Sequence, residues 1–131
     1  MDQQIETVKR LFDAFARRDV EASLELMHPE IRLWAVTARA TGDGPYVGHE
    51  GIRRYMQDVE RLWQELELRP IGFEEVADTV VVLGEVHARG AAGKLRQPTI
   101  WTLKLRDRLV IQCRVDSDTR AARRALGIEC E

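Results

Sequence analysis

Glu85 and His87 are the residue types in this chain best suited to move a proton. They lie two apart in the strand-like run TVVVLGEVHAR, residues 79–89, so both side chains project from one face. A carboxylate beside an imidazole orients the ring and raises its basicity, which is how a general base is built near neutral pH. The same pair also suits a solvated or subunit-facing sheet surface, and the sequence leaves both readings open. Two residues do not make a zinc site, which takes three or four ligands, and no motif supplies the others. No metal and no cofactor are expected.

Four aromatic residues are candidates for lining a pocket: Trp34, Tyr46, Tyr55 and Trp101. Each offers a large apolar surface, with an indole N–H or a phenol O–H to orient a ligand. Trp34 and Tyr46 flank a long loop-like segment, whereas Tyr55 and Trp101 serve equally well as core packing. Gln112, Arg114 and Asp116 share one face of the last strand, where Arg114 and Asp116 can simply pair with each other. Cys113, on the opposite face, reads as a small buried hydrophobe. His28 and His49 stand at helix boundaries, and Arg120, Arg123 and Arg124 read as a solvated helix face.

These residues need elements to hold them. Ile5, Val8, Leu11, Phe12 and Phe15 recur at helical spacing from Asp2 onward, and the helix ends near Arg17 and Arg18. Asp19 offers an N-cap for a short helix from Val20 to Met27, closed by His28-Pro29. Ile31 to Val36 is a strand candidate, and Thr37 to Gly48 reads as a loop. A loop that long is uncommon unless it covers a site. A second long helix is expected over about Glu50 to Leu66, with Pro70 marking its exit. Four strands follow as a meander: Ile71 to Val76, Thr79 to Arg89, Gln97 to Arg106 and Leu109 to Ser117. Asp118 can cap a final helix, Thr119 to Leu126, stopped by Gly127. Helices on one face of a bent antiparallel sheet make an α+β fold.

The bulk numbers narrow the function classes. A chain of 131 residues fits one domain with one core. A formal net charge of −2 argues against general nucleic-acid binding, which usually brings a basic excess. No apolar run approaches the roughly 20 residues of a membrane span, so no membrane association is expected. The N-terminus lacks the apolar core of a signal peptide, and the two cysteines, Cys113 and Cys130, are poorly placed to pair. A cytoplasmic setting follows as the simplest expectation.

The order of elements resembles the NTF2-like superfamily, the cone-shaped α+β barrel of ketosteroid isomerases and SnoaL-like polyketide cyclases. Three stretches carry the resemblance: residues 17–30 from Arg17-Arg18-Asp19 to His28-Pro29-Glu30, Gly48-His49-Glu50-Gly51-Ile52, and WTLKLRDRLVIQCRVDSDTRAARRALG over residues 101–127. The resemblance implies the fold over nearly the whole chain. It does not imply one activity, because this fold hosts many. The base, tyrosine and protonated aspartate of ketosteroid isomerases align with Ala35 or its neighbour, Leu11 and Trp101, none of which can do that job. The Arg-x-Asp strand of limonene-epoxide-hydrolase relatives aligns with Glu85-Val86-His87, and their further aspartate falls near Val115. The late aspartate of SnoaL-type cyclases falls near Asp116 or Asp118, where a shift of one residue reverses the side chain's direction.

The expectation is therefore a SnoaL-like pocket protein for a small, mostly apolar molecule. Glu85 and His87 would serve as its acid–base pair, for isomerase, cyclase or hydrolase chemistry. The alternative is a non-catalytic ligand-binding or dimerisation domain. A homodimer through the sheet is also expected, since helices cover one sheet face and the other would expose Ile100 and neighbouring aliphatics.

Overall fold

The computed structural model describes residues 3–34, 45–91 and 93–117. In chain order the elements are α1 (Gln3–Ala16), α2 (Val20–Glu25), β1 (Met27–Trp34), β2 (Tyr46–Val47), α3 (Gly48–Leu62), β3 (Trp63–Val76), β4 (Thr79–Gly90), β5 (Gly93–Arg106) and β6 (Leu109–Ser117). The six strands form one curved sheet in the order β2-β1-β6-β5-β4-β3. Pairing is antiparallel except between β1 and β6. The α+β architecture and the four-stranded meander are as the sequence implies. The barrel is not closed: among the described residues, β2 and β3 are the outermost strands of the sheet order.

Periodicity placed α1 well. Val8, Leu11 and Ala14 are its buried residues, and Ile5 and Phe12 pack against the core from its flanks. Arg18 follows in a left-handed conformation, with φ of 57°, and its guanidinium donates to the carbonyls of Phe15 at 2.6 Å and Leu66 at 2.7 Å. That pair of bonds ties the end of α1 to β3. Asp19 caps α2 as expected, accepting from the Ala22 N–H at 3.1 Å.

Two boundaries differ from expectation. The short helix stops at Glu25, and Met27, His28 and Pro29 already belong to β1. The second long helix stops at Leu62, because Trp63 takes an extended backbone, with φ of −124° and ψ of 130°. Residues 63–70 thus begin β3 instead of ending a helix. Leu66 and Leu68 pack on the core while Glu67 and Arg69 point out, which is strand alternation. Pro70 is accommodated because β3 is an edge strand and the register shifts between Pro70 and Gly72. At that shift β3 and β4 come very close: a Cβ on Gly84 would lie 2.1 Å from the Arg69 carbonyl oxygen. Part of the expected loop is also strand, since Tyr46 and Val47 pair with Leu33 and Arg32. Residues 35–44 and 118–131, on which most of the expected loop, the end of the first strand candidate, Asp118 and the expected final helix fall, lie outside the described residues.

The core lies between the helices and one sheet face. Val80, Val82, Val86 and Ala88 of β4 and Trp101, Leu103 and Leu105 of β5 meet Val8, Leu11 and Ile52 from the helices. The outer face differs from expectation in one respect. Ile100 is 0% exposed and Val81 only 3%, so the aliphatic patch on which the homodimer expectation rested is already buried within one chain. The exposed large hydrophobics among the described residues are Val47, Ile71 and Val76. No helix among these residues is long and apolar enough to cross a membrane.

Candidate functional site: an apolar cavity inside the cone

The space between α1, α3 and the inner sheet face is not completely filled. Two small chambers remain, of about 70 Å³ and about 40 Å³. Tyr55, Leu68, Trp101 and Val115 border both. The larger reaches toward Phe12, Phe15, Met56 and Cys113, and the smaller toward Trp63, Leu66 and Leu95. Among the described residues, no Asp, Glu, Lys, Arg or His lines either chamber. The walls are carbon, apart from Ser23, Tyr55, Cys113 and the Trp101 indole in one chamber and Tyr55, Gln97, Thr99 and the Trp63 and Trp101 indoles in the other.

Tyr55 is held by a ladder of rings. Its ring stacks on Phe15 at 5.9 Å and meets Tyr46 edge-on at 5.3 Å. Arg18 lies over Phe15 at 4.5 Å, and Arg54 over Tyr46 at 5.1 Å. The Tyr46 hydroxyl donates to Asp58 at 2.6 Å, and Asp58 also pairs with Arg61 at 2.9 Å. Cations over aromatic faces at both ends, with stacking between, fix the rungs without filling the chambers.

Burial sets the protonation of the two acidic hydrogens in the cavity. It pushes the Tyr55 phenol well above its ordinary 10.0, with the nearby Cys113 adding to the shift and Arg18 opposing it. Burial likewise pushes the Cys113 thiol up to about 12. Both groups keep their protons at neutral pH. Cys113 is thus no thiolate nucleophile, and Tyr55 is a donor rather than a base.

The sequence candidates divide into two groups. Tyr55 and Trp101 line the cavity, and Trp101 also meets Phe12 edge-on at 5.2 Å. Trp34 does not: it lies beside Arg114 in the β1–β6 register, with that guanidinium 5.5 Å above its ring. Tyr46 is a buried rung behind Tyr55 rather than a wall. Glu85 and His87 do touch, at 2.9 Å, but alternation puts them on the face opposite Val86 and Ala88. Glu85 and His87 thus stand on the β4 face turned away from the two chambers, whose lining includes neither of them. Asp116 points outward with Arg114, 4.0 Å away. Phe12, Leu68 and Val115 are walls that sequence reasoning did not single out, and Cys113, read from sequence as a small buried hydrophobe, is a wall as well. The Cys113–Val115 alternation was its one legible signal.

The outer pair has a measurable consequence. Glu85 also accepts from Arg96 at 3.3 Å. The His87 hydrogen bond, and after it the Arg96 bond, hold the Glu85 carboxyl below its ordinary 4.5. A carboxylate whose pKa falls on folding stabilises the fold above its unfolded value. That contribution drains away as pH falls through the lowered folded value. His87→Ala should move the Glu85 midpoint upward toward 4.5, read by NMR titration of its carboxyl carbon. A stationary midpoint would mean the contact is not kept in solution.

The family model described as a SnoaL-like domain matches residues 8–112. An NTF2-like protein of unknown function from Burkholderia pseudomallei K96243 is 23% identical, with a TM-score of 0.81 over 95% of this chain and 97% of its own. TerC, crystallised with polyporic acid, is 25% identical, with a TM-score of 0.79 over 95% and 98%. Bal32a, from a soil-derived mobile gene cassette, is 19% identical, with a TM-score of 0.79 over 88% of each chain. No curated protein matches the sequence.

Proposed function

The chain belongs to the SnoaL-like domain family, and on that premise we propose that it is a pocket protein taking up a small, mostly apolar molecule between α1, α3 and the inner sheet face. The observation that carries this reading is the carbon-walled interior, shared across two chambers by Tyr55, Leu68, Trp101 and Val115. TerC was crystallised with polyporic acid, which supports a small organic molecule as the occupant here.

Of the two readings left open by sequence, the geometry favours binding without acid–base chemistry by the described residues. Burial holds both wall groups, Tyr55 and Cys113, in their protonated forms at neutral pH, so neither is a base there. The paired carboxylate and imidazole face the other way.

Size limits the occupant. Drug-sized ligands fill roughly 300–1,000 Å³, far more than the two chambers hold. A one- or two-ring molecule fits if Leu68 or the flexible Met56 changes rotamer and the chambers merge. Indane is a suitable probe. At one hundred times its Kd it should raise the melting temperature by about 10 °C, from roughly 2.7 kcal/mol of linkage. Quenching of tryptophan emission should accompany it, since Trp101 and Trp63 line the chambers. Val115→Phe should fill the shared wall and abolish both effects, at a stability cost of about 1–3 kcal/mol. A wild-type protein indifferent to indane would refute the proposal.

A further inference from the structure

Resting on the cavity reading, we infer that the occupant enters and leaves between α2 and α3, past Met56, and that the Glu21–Arg53 ion pair straps this entrance. A cleft of about 230 Å³ lies between the end of α1, the start of α2 and α3. Arg18, Val20, Arg53, Met56, Gln57 and Glu60 line it. Met56 also lines the larger inner chamber, so one side chain stands between the outer space and the inner one. The partition is thin at two further points. On α2, Val20 borders the cleft and Ser23, about one turn on, borders the chamber. Arg18 borders the cleft and lies over the ring of Phe15, a wall of the chamber.

The parts of this partition differ in how firmly they are held. The Arg18 guanidinium is fixed on the carbonyls of Phe15 and Leu66. Leu33, Ile52 and Trp101, walls of the same chamber, are buried in the core. Met56 is unbranched, with three rotatable side-chain bonds, and is the wall residue on α3 most able to swing aside. α2 has six residues, too few to hold a helix alone, so its position depends on what fastens it. Just past its end, the Leu26 carbonyl accepts from the Val110 N–H of the sheet at 3.0 Å. Its first turn is joined to α3 through Glu21, whose carboxylate accepts from Arg53 at 2.7 Å. Both side chains of that pair are exposed, so it is a weak fastening. Arg53 also has Glu50 3.6 Å away on its own helix. It can release Glu21 and still keep a carboxylate, which gives the strap two resting places.

The test reads the association and dissociation rates of indane by NMR exchange. Glu21→Gln keeps the shape of the side chain and removes its charge. It should raise both rates together by about two- to fivefold, the range for one exposed ion pair, and leave Kd unchanged. Raising sodium chloride from about 0.01 M to about 1 M shortens the Debye length from about 30 Å to about 3 Å, and the rates of wild type and variant should then converge. Glu65→Gln, which breaks the exposed pair with Arg89 between β3 and β4, should change neither rate. Met56→Ile should slow both rates by up to about tenfold, because isoleucine in a helix keeps one rotamer about 90% of the time. Should that variant unfold, Glu21→Gln, a surface change, decides alone. Unchanged rates in Glu21→Gln overturn this inference and leave the cavity reading standing. A change in one rate only also overturns it, since Kd then moves and Glu21 acts on the bound state instead of on passage. If indane does not bind the wild type, the cavity reading falls and this inference with it.

Discussion

Gly84→Ala is expected to destabilise the protein by about 3 kcal/mol or more, a loss of roughly 10 °C in melting temperature. The new Cβ would lie 2.1 Å from the Arg69 carbonyl oxygen and 2.9 Å from the Pro70 Cα. Both are backbone atoms and cannot rotate away. The alternatives are to push β3 off β4 or to shift the register, and either moves Leu66 and Leu68 off the core. Gly72, two residues beyond Pro70, is the control, because a Cβ there meets nothing within 4 Å. Gly72→Ala should stay within about 0.5 kcal/mol of wild type. Chemical denaturation of the two variants decides the matter, and a Gly84→Ala protein as stable as Gly72→Ala would show that the strands do not approach this closely.

Trp101→Ala should cost about 3–5 kcal/mol, the usual range for a buried large aromatic. Trp101 is 3% exposed, sits near the middle of β5 and loses its edge contact with Phe12. It also borders both chambers, so its removal joins them into one larger void. Indole should then bind this variant and restore about 2–3 kcal/mol at one hundred times its Kd. If the variant is destabilised but indifferent to indole, the walls have collapsed and the chambers do not share Trp101 as a partition. A loss below about 1 kcal/mol would place the indole outside the core.

Much of this architecture was legible in the residues. The apolar stripe Ile5, Val8, Leu11, Phe12 and Phe15 marked α1, and the alternation in residues 79–89 marked β4. The α3–β3 boundary was not legible, because Val59, Leu62, Trp63 and Leu66 keep helical spacing beyond the point where the backbone turns extended. The competing signal was Leu66-Glu67-Leu68-Arg69, a period of two that Pro70 seemed to forbid and an edge bulge permits. The site was half legible for a related reason. Alternation shows that Glu85 and His87 share a face, but not which face the helices cover. That choice rests on long-range packing of α1 and α3 against Val86, Ala88 and Trp101. Tyr55 belongs to an apolar helix stripe that serves equally well as core packing; only the assembled cavity shows that it lines both chambers.

The interruption at Pro70 also bears on how this protein behaves in a crowded solution. An edge strand of 14 residues is a long template for pairing with another chain. On β3, Pro70 removes one donor from that template and the bulge beside it bends the row. The side chains of Glu65, Glu67 and Arg69 add charge along it. Ile71, 75% exposed at the bulge, would otherwise make this the stickiest point of the sheet. The irregularity that lets β3 approach β4 so closely at Gly84 is therefore also a safeguard against fibrous self-assembly, and straightening the strand would trade solubility for regularity.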